Sequence, residues 1–295
     1  MSVVLITGSS TGIGRRTAET LAEAGHTVYA TMRDPEGRDA ARAAELAGLA
    51  KERGHDLRVV ALDVTSQESA DAAVRTVLDE TGGLDVVVHN AGHLFIGYVE
   101  AFTDDDVASL FDVNAIGAHR VNRAVLPHMR ERRSGTLVYV GSTSLVTTPP
   151  FLGPYVASKA AFDALAVVTS YEVSQFGIET SIVMPGPITQ GTGHFANASR
   201  ASDVHVTAQY AELDPLVERT HEAHEQLFEP GTTADPQDVA DEIRRILALP
   251  AGTRPFRSVV DAARAGVEHV MAFSDLTREA FVRRLGYAET LELKR

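Results

Sequence analysis

The order of apolar runs along this chain predicts an α/β fold, a doubly wound, seven-stranded parallel sheet with helices on both faces. Two observations carry the prediction. Short continuous apolar runs alternate with longer helical stretches, the pattern of strands covered on both sides. The first run opens directly into a glycine-rich turn and a helix, and consecutive right-handed βαβ units make the doubly wound topology the economical one.

Taken in order, residues 3–7 form the first strand, followed by the turn and a helix over about 13–24. Residues 27–31 give the second strand, and the Ala-rich stretch 35–53 the next helix. Strands at 57–62 and 84–89 flank a helix at 69–80. A long helical segment lies within 104–129, a strand at 136–140, a second long helix at 155–175 and a strand at 179–184. Residues 257–260 complete the sheet. With no linker and no repeat, the 295 residues are expected to form a single domain over 1–295. Two regions break the rhythm: an insertion at about 185–233, placed to cover a crevice at the strand ends, and an extension after about 261 with a short helix at 277–285.

Composition narrows the function classes. There is no cysteine, which excludes disulfides, thiolate metal sites and cysteine nucleophiles and fits an expected cytoplasmic location. A net charge of −13 argues against a nucleic-acid surface. No apolar stretch reaches the length of a membrane span, and the start of the chain reads as a buried strand rather than a signal peptide. His89 and His93 lack the HExxH arrangement, so no metal site is expected.

The turn Thr7-Gly8-Ser9-Ser10-Thr11-Gly12-Ile13-Gly14 places glycines where a strand must turn sharply and a backbone must approach a ligand. The helix after it aims free N–H groups at the turn, where a pyrophosphate would be stabilised. The spacing is neither GxGxxG nor a P-loop, and a purely structural turn is the alternative. After the second strand, Met32 stands where an NAD-binding acid would lie, and Arg33 follows. An arginine pairs with a ribose 2′-phosphate that an acid would repel, so NADP(H) is preferred and NAD(H) is the alternative, with Asp34 and Glu36 nearby opposing the preference. Asp63 is placed either to accept from an adenine amino group or to cap a helix. Asn90-Ala91-Gly92 lets the backbone lie close to a cofactor, with Asn90 holding the turn.

Tyr155 and Lys159 share a helix face, and Ser142 ends the preceding strand. A nearby ammonium favours the phenolate, so Tyr155 is the candidate acid/base and Ser142 the candidate donor to a substrate oxygen. Asn114, a mediocre helix former within a helical stretch, is read as bonding to backbone around a distortion.

These ordered elements, together with Tyr155-Val156-Ala157-Ser158-Lys159 and Pro185-Gly186, resemble the short-chain dehydrogenase/reductase superfamily over roughly residues 3–190. The resemblance implies a seven-stranded Rossmann-type domain and hydride transfer between a nicotinamide cofactor and a small-molecule alcohol or carbonyl substrate. It assigns catalysis to Asn114, Ser142, Tyr155 and Lys159, with Lys159 also on the nicotinamide ribose. It places the cofactor on Gly8, Ser10, Thr11, Gly12, Ile13, Gly14, Arg33, Asp63, Val64, Asn90, Ala91, Gly92, Pro185, Gly186, Ile188 and either Thr189 or Thr192. It further implies a homodimer or homotetramer through the helices near 104–129 and 155–175. A weaker likeness to the 17β-hydroxysteroid and retinol dehydrogenase branch, in residues 29–34 and the long extension, suggests a medium-sized, partly apolar substrate. Phe95, Val146, Phe151 and Phe195 are candidate pocket walls, with Val204, Val206 and Leu216 as cover and Asn197, His205 and Gln209 as polar neighbours. The rival readings are a non-catalytic dinucleotide-binding regulator and an isomerase or epimerase that retains its nicotinamide.

Overall fold

The computed structural model describes residues 1–294. Seven strands, β1 (Val3–Ile6), β2 (Thr27–Met32), β3 (Leu57–Ala61), β4 (Val86–His89), β5 (Gly135–Val140), β6 (Ile178–Pro185) and β7 (Arg257–Val260), form one sheet in the order β3-β2-β1-β4-β5-β6-β7. Every neighbouring pair is parallel. The chain winds outward from β1 to β3, then crosses back to β4, so the carboxyl ends of β1 and β4 diverge and leave a crevice between them.

Alternation along each strand feeds two cores. Leu5, Tyr29, Val87 and Leu137 pack with α3 (Gln67–Thr81), α5 (Gly117–Arg132) and α7 (Gly153–Val173) on one face. Val4, Ile6, Val28 and Val88 pack with α1 (Gly12–Glu23), α2 (Ala40–Arg53) and α11 (Pro236–Ala248) on the other. Neighbouring residues of one strand thus point to opposite layers, which is why runs such as Val3–Ile6 and Val86–Val88 are apolar throughout.

The remaining helices are α4 (Asp104–Phe111), the short α6 (Ser144–Thr147), α8 (Val204–Gln209), α9 (Asp214–Glu218), α10 (Thr220–Glu225) and α12 (Val267–Arg284). Several differ from the sequence expectation. The helix expected at 35–53 starts at Ala40, because the Asp34 carboxylate accepts from the Gly37 and Arg38 amides and holds 34–38 as a turn. The long segment at 104–129 is α4 and α5 joined by one wide π-helical turn, Asp112–Ile116. The second long helix begins at Gly153, two residues early, with Pro154 in its first turn. The tail helix is not a short piece at 277–285 but runs over Val267–Arg284, anchored where buried Arg257 bridges Asp163 of α7 and Asp275 of α12. Helix α11 was not expected, although Asp235 capping the Gln237 amide, Pro236, and the apolar spacing Val239, Ala240, Ile243, Ile246 and Leu247 signal it. No helix among the described residues is long and apolar enough to cross a membrane.

One core residue ties stability to pH. His89 ends β4, is 2% exposed, and stacks on Tyr139 with ring centroids 4.6 Å apart. Burial pushes its pKa down to about 4, so the folded chain holds it neutral while the unfolded chain protonates it near pH 6.5. Its contribution is intact above pH 6.5 and is lost as pH falls towards 4. By pH 5 the loss is about 2 kcal/mol. We therefore expect His89→Phe, which preserves the stacked ring, to reduce the fall in unfolding free energy between pH 7.5 and pH 5 by about that amount. Urea melts at the two pH values measure it, and an equal fall in both proteins would contradict the assignment.

Candidate active site

The crevice at the carboxyl ends of the strands opens into a cleft of about 1310 Å³. At its base the ends of β1 and β4 are tied together. The Thr7 hydroxyl accepts from the Asn90 and Ala91 amides at 2.9 and 3.0 Å, and the Asn90 side chain donates to the Thr7 and Gly8 carbonyls at 3.0 and 2.9 Å. Gly8 has a left-handed φ of +70°, and a Cβ on it would lie 2.9 Å from Ala91 Cα. At Gly12, φ is +58° and a Cβ would meet the Thr192 side chain. Thr11 makes no side-chain cap to α1, and the first turn of that helix carries no acid, so its N–H groups face the turn unopposed. This concave run of backbone fits the pyrophosphate of a dinucleotide.

Gly8, Ser10, Thr11, Gly12, Ile13, Arg33, Val64, Asn90, Ala91, Gly92, Pro185, Gly186 and Ile188 all line the cleft, as do Ser142, Tyr155 and Lys159. Four expected residues do not. Gly14 packs α1 against the strand ends, where a Cβ would collide with the Gly8 carbonyl and the Asn90 amide. Asp63 turns its carboxylate to the Thr65 amide and hydroxyl at 2.9 and 2.8 Å, while Ser66 caps the helix that follows. Thr189 faces a separate small cavity under the insertion, whereas Thr192 lines the main cleft. Asn114 lies behind the site, in the π-helical turn. Its side chain accepts from the His93 amide at 2.7 Å and donates to the His93 carbonyl and the Ser158 hydroxyl at 2.9 Å each.

Around Met32, which also lines the cleft, stand Arg33, Arg38 and Arg42. For the last two the sequence offers no signal beyond basic spacing at 33, 38 and 42. Asp39 pairs with Arg42 at 3.1 Å, and Asp34 is taken up by its own turn. Arg33 is half exposed and only loosely paired with Asp63, at 3.9 Å.

At the chemistry-bearing residues, burial dominates. It pushes the Tyr155 phenol up to about 12, with the Ser142 hydroxyl pulling partly back. The expected lowering by Lys159 is not the controlling effect: its Nζ is buried, donates to the Val140 carbonyl at 3.1 Å, and is itself pushed down to about 8. Ser142 Oγ also accepts from the Ser144 amide at 3.1 Å, which fixes the hydroxyl at the end of β5.

Of the expected walls, Phe95 and Phe195 line the cleft. Phe151 packs in the apolar cluster beside it, and Val146 in the core beneath the sheet. Of the expected cover, Val206 is packed against that cluster, but Val204 is 77% exposed and Leu216 39% exposed. Asn197 lines the cleft, whereas His205 and Gln209 bond to each other on the surface at 3.2 Å. His93, weighed in the sequence only as a metal ligand, lines it together with His194 and His224, for which the sequence gives no signal. An isolated histidine carries no motif, so only the folded chain brings them together.

A family model described as short chain dehydrogenase matches residues 2–203. A 3-ketodihydrosphingosine reductase of Bacteroides thetaiotaomicron is 34% identical over 189 residues, covering 64% of this chain and 65% of that protein. Human 17-beta-hydroxysteroid dehydrogenase type 1 is 40% identical over 194 residues, covering 63% of this chain and 57% of that one. The chain thus matches less than two thirds of the length of either relative. The crystal structure of a short-chain dehydrogenase from Streptomyces avermitilis superposes with a TM-score of 0.74 at 28% identity, over 97% of both chains.

The turn geometry generates a paired test. Gly14→Ala is expected to destabilise the fold by roughly 1–3 kcal/mol, since the atoms its Cβ meets are held in the Thr7–Asn90 clamp. Gly48→Ala, in α2 with open space around it, is expected to stabilise by about 0.5–1 kcal/mol. Denaturant melts of the two variants read the contrast, and a harmless Gly14→Ala would mean that the turn is not close-packed.

Proposed function

The chain belongs to the short-chain dehydrogenase family, and on that premise we propose that it interconverts an alcohol with a ketone or aldehyde, preferring NADP(H) to NAD(H). One observation carries the reading: the glycine turn and the Ser142–Tyr155–Lys159 group face a single cleft. When bound, the nicotinamide cofactor supplies or accepts the hydride. Tyr155 donates its phenolic proton to the carbonyl oxygen in reduction and, as phenolate, takes it back in oxidation. Ser142 donates a hydrogen bond to that oxygen as charge develops on it. Lys159, held on the Val140 carbonyl beside Gly92, offers its ammonium to the ribose of the cofactor. Asn114 holds the His93 backbone and the Ser158 hydroxyl, which in turn donates to the Tyr155 carbonyl, and so positions the segment that carries the phenol. Of the two threonines, Thr192 is the better placed to take the carboxamide.

The NADP(H) preference supports carbonyl reduction as the working direction, because cells hold that cofactor mostly reduced, and a phenol pushed up to about 12 keeps the proton that this direction consumes. Leu94, Phe95, Leu152, Phe195 and Leu227 along the cleft support a medium-sized, partly apolar substrate. Exposed Leu165 and Val168 on α7 support association through the long helices. The NADP(H) preference rests on Arg33 and Arg38, which line the cleft with Met32, with Asp34 engaged by its own turn and Asp39 paired with Arg42.

Two outcomes test this function. NADPH is expected to bind more tightly than NADH, and Arg33→Ala to weaken NADPH by about tenfold while leaving NADH unchanged, the effect of losing one hydrogen bond to a charged phosphate. Parallel titrations decide it; equal affinities with no loss on substitution would count against it. Tyr155→Phe is expected to lower kcat for reduction by about 10²–10⁴-fold with NADPH affinity kept. Full turnover in that variant, where hydride transfer limits the rate, would remove Tyr155 as the proton donor.

A further inference from the structure

Four imidazoles stand on or near the substrate side of the cleft, and three are held by other groups. His93 Nε2 lies 2.8 Å from the Ser199 hydroxyl, His221 Nε2 is 3.1 Å from the Thr189 carbonyl, and His224 Nδ1 is 2.7 Å from the Thr220 carbonyl. His194 differs: among the described residues neither of its ring nitrogens has a partner, although its ring lines the cleft. The ring packs edge-on against Tyr155, with centroids 5.6 Å apart and planes at 66°. The loop carrying it is fixed by its own bonds, from the His194 amide to the Thr192 hydroxyl and from the Asn197 amide to the Gly193 carbonyl at 2.8 Å. An imidazole with no protein partner, held beside the proton-donating phenol, is left with one donor and one acceptor for a ligand.

We infer that His194 is a second polar subsite that binds an uncharged oxygen one or two carbons from the reacting carbonyl, so that hydroxyketones and diketones are preferred to isolated ketones. The inference rests on the carbonyl-reductase reading above. The charge pattern selects an uncharged oxygen. Burial first, then Lys159 and His93, push the His194 pKa down to about 4, so the ring is neutral at working pH. The sole carboxylate among the described lining residues is Asp39, paired with Arg42, and Lys159 is bonded to the Val140 carbonyl. The cation nearest His194 is Lys159, held on the Val140 carbonyl and, on the reading above, committed to the cofactor ribose, so the neutral ring finds its matched partner in a hydroxyl or second carbonyl. A site that hydrogen-bonds a substrate oxygen discriminates against the analogue lacking it, because its polar group is then left unpaired.

The experiment compares kcat/KM for 2-hydroxyacetophenone, 1-phenyl-1,2-propanedione and acetophenone in the wild type, His194→Phe and His194→Gln. An adjacent oxygen activates a carbonyl by itself, so the readout is the change in the ratio between enzymes, which cancels intrinsic reactivity. His194→Phe is expected to lower the oxygenated-to-plain ratio by about tenfold or more, and His194→Gln, which keeps a donor and an acceptor, to restore most of it. An unchanged ratio in His194→Phe would overturn the subsite and leave His194 a packing residue. A preference for benzoylformate over 2-hydroxyacetophenone would overturn the choice of an uncharged oxygen. If the wild type reduces none of these compounds, the carbonyl-reductase reading fails separately. The subsite is then judged by the His194 ring ¹⁵N shifts on adding 2-hydroxyacetophenone to the NADPH-saturated protein. Movement there, absent with acetophenone, supports it, and none overturns it.

Discussion

One threonine and one asparagine hold together the two strand ends on which the site depends. Beyond β1 and β4 the chain diverges, and the last backbone bond between them runs from the Thr7 amide to the Val88 carbonyl at 3.0 Å. The Thr7 hydroxyl and the Asn90 amide close the gap beyond it with four hydrogen bonds of 2.9 to 3.0 Å. The clamp draws Gly8 and Gly14 so near Asn90 and Ala91 that side chains are excluded at both glycines. The concave backbone that suits a pyrophosphate is a consequence of this closure. The glycines permit it; the clamp enforces it.

A second clamp serves the chemistry in the same way. Asn114 occupies a wide turn that interrupts what would otherwise be one long helix. That distortion lets one side chain satisfy the backbone of His93 after β4 and the hydroxyl of Ser158 on α7. Lys159 adds a bond from α7 to the last carbonyl of β5, beside Ser142. Three separate elements are thereby referenced to one another around Tyr155, with side-chain positions fixed by buried polar bonds rather than by apolar packing alone. The sheet sets the crevice; the polar bonds set the phenol.

Electrostatics within the cleft run against those of the whole chain. A formal net charge of −13 coexists with a cleft lined by Arg33, Arg38, Arg42 and Lys159 and by a single carboxylate. The nearby acids are each engaged: Asp34 by turn amides, Asp39 by Arg42, Asp63 by Thr65. Net charge is a sum over the surface, while a ligand in a cleft responds to the few groups that face it.

The sequence by itself determined the sheet, its parallel sense and most of its strands, because burial on both faces demands unbroken apolar runs and those are visible locally. It determined the glycine turn and the Tyr155–Lys159 pair for the same reason: a tight turn and a shared helix face are properties of near neighbours. Helix α11 is equally legible, in its Asp-Pro start and apolar spacing. Tertiary structure alone decided what depends on distant partners. Gly14 is packed beneath the Gly8 carbonyl and the Asn90 amide, Asp63 is bonded to Thr65 and loosely paired with Arg33, and Thr192 rather than Thr189 lines the cleft because of the path of the insertion. The tail helix extends over Val267–Arg284 where Arg257 ties it to α7, a bond between residues far apart in the chain. The unpartnered ring of His194 is the extreme case: a lone histidine has no pattern, and its meaning comes from the phenol beside it and the partners that its three neighbours have and it lacks. Spacing records contacts between near neighbours; burial and pairing across the fold are settled only when the chain closes on itself.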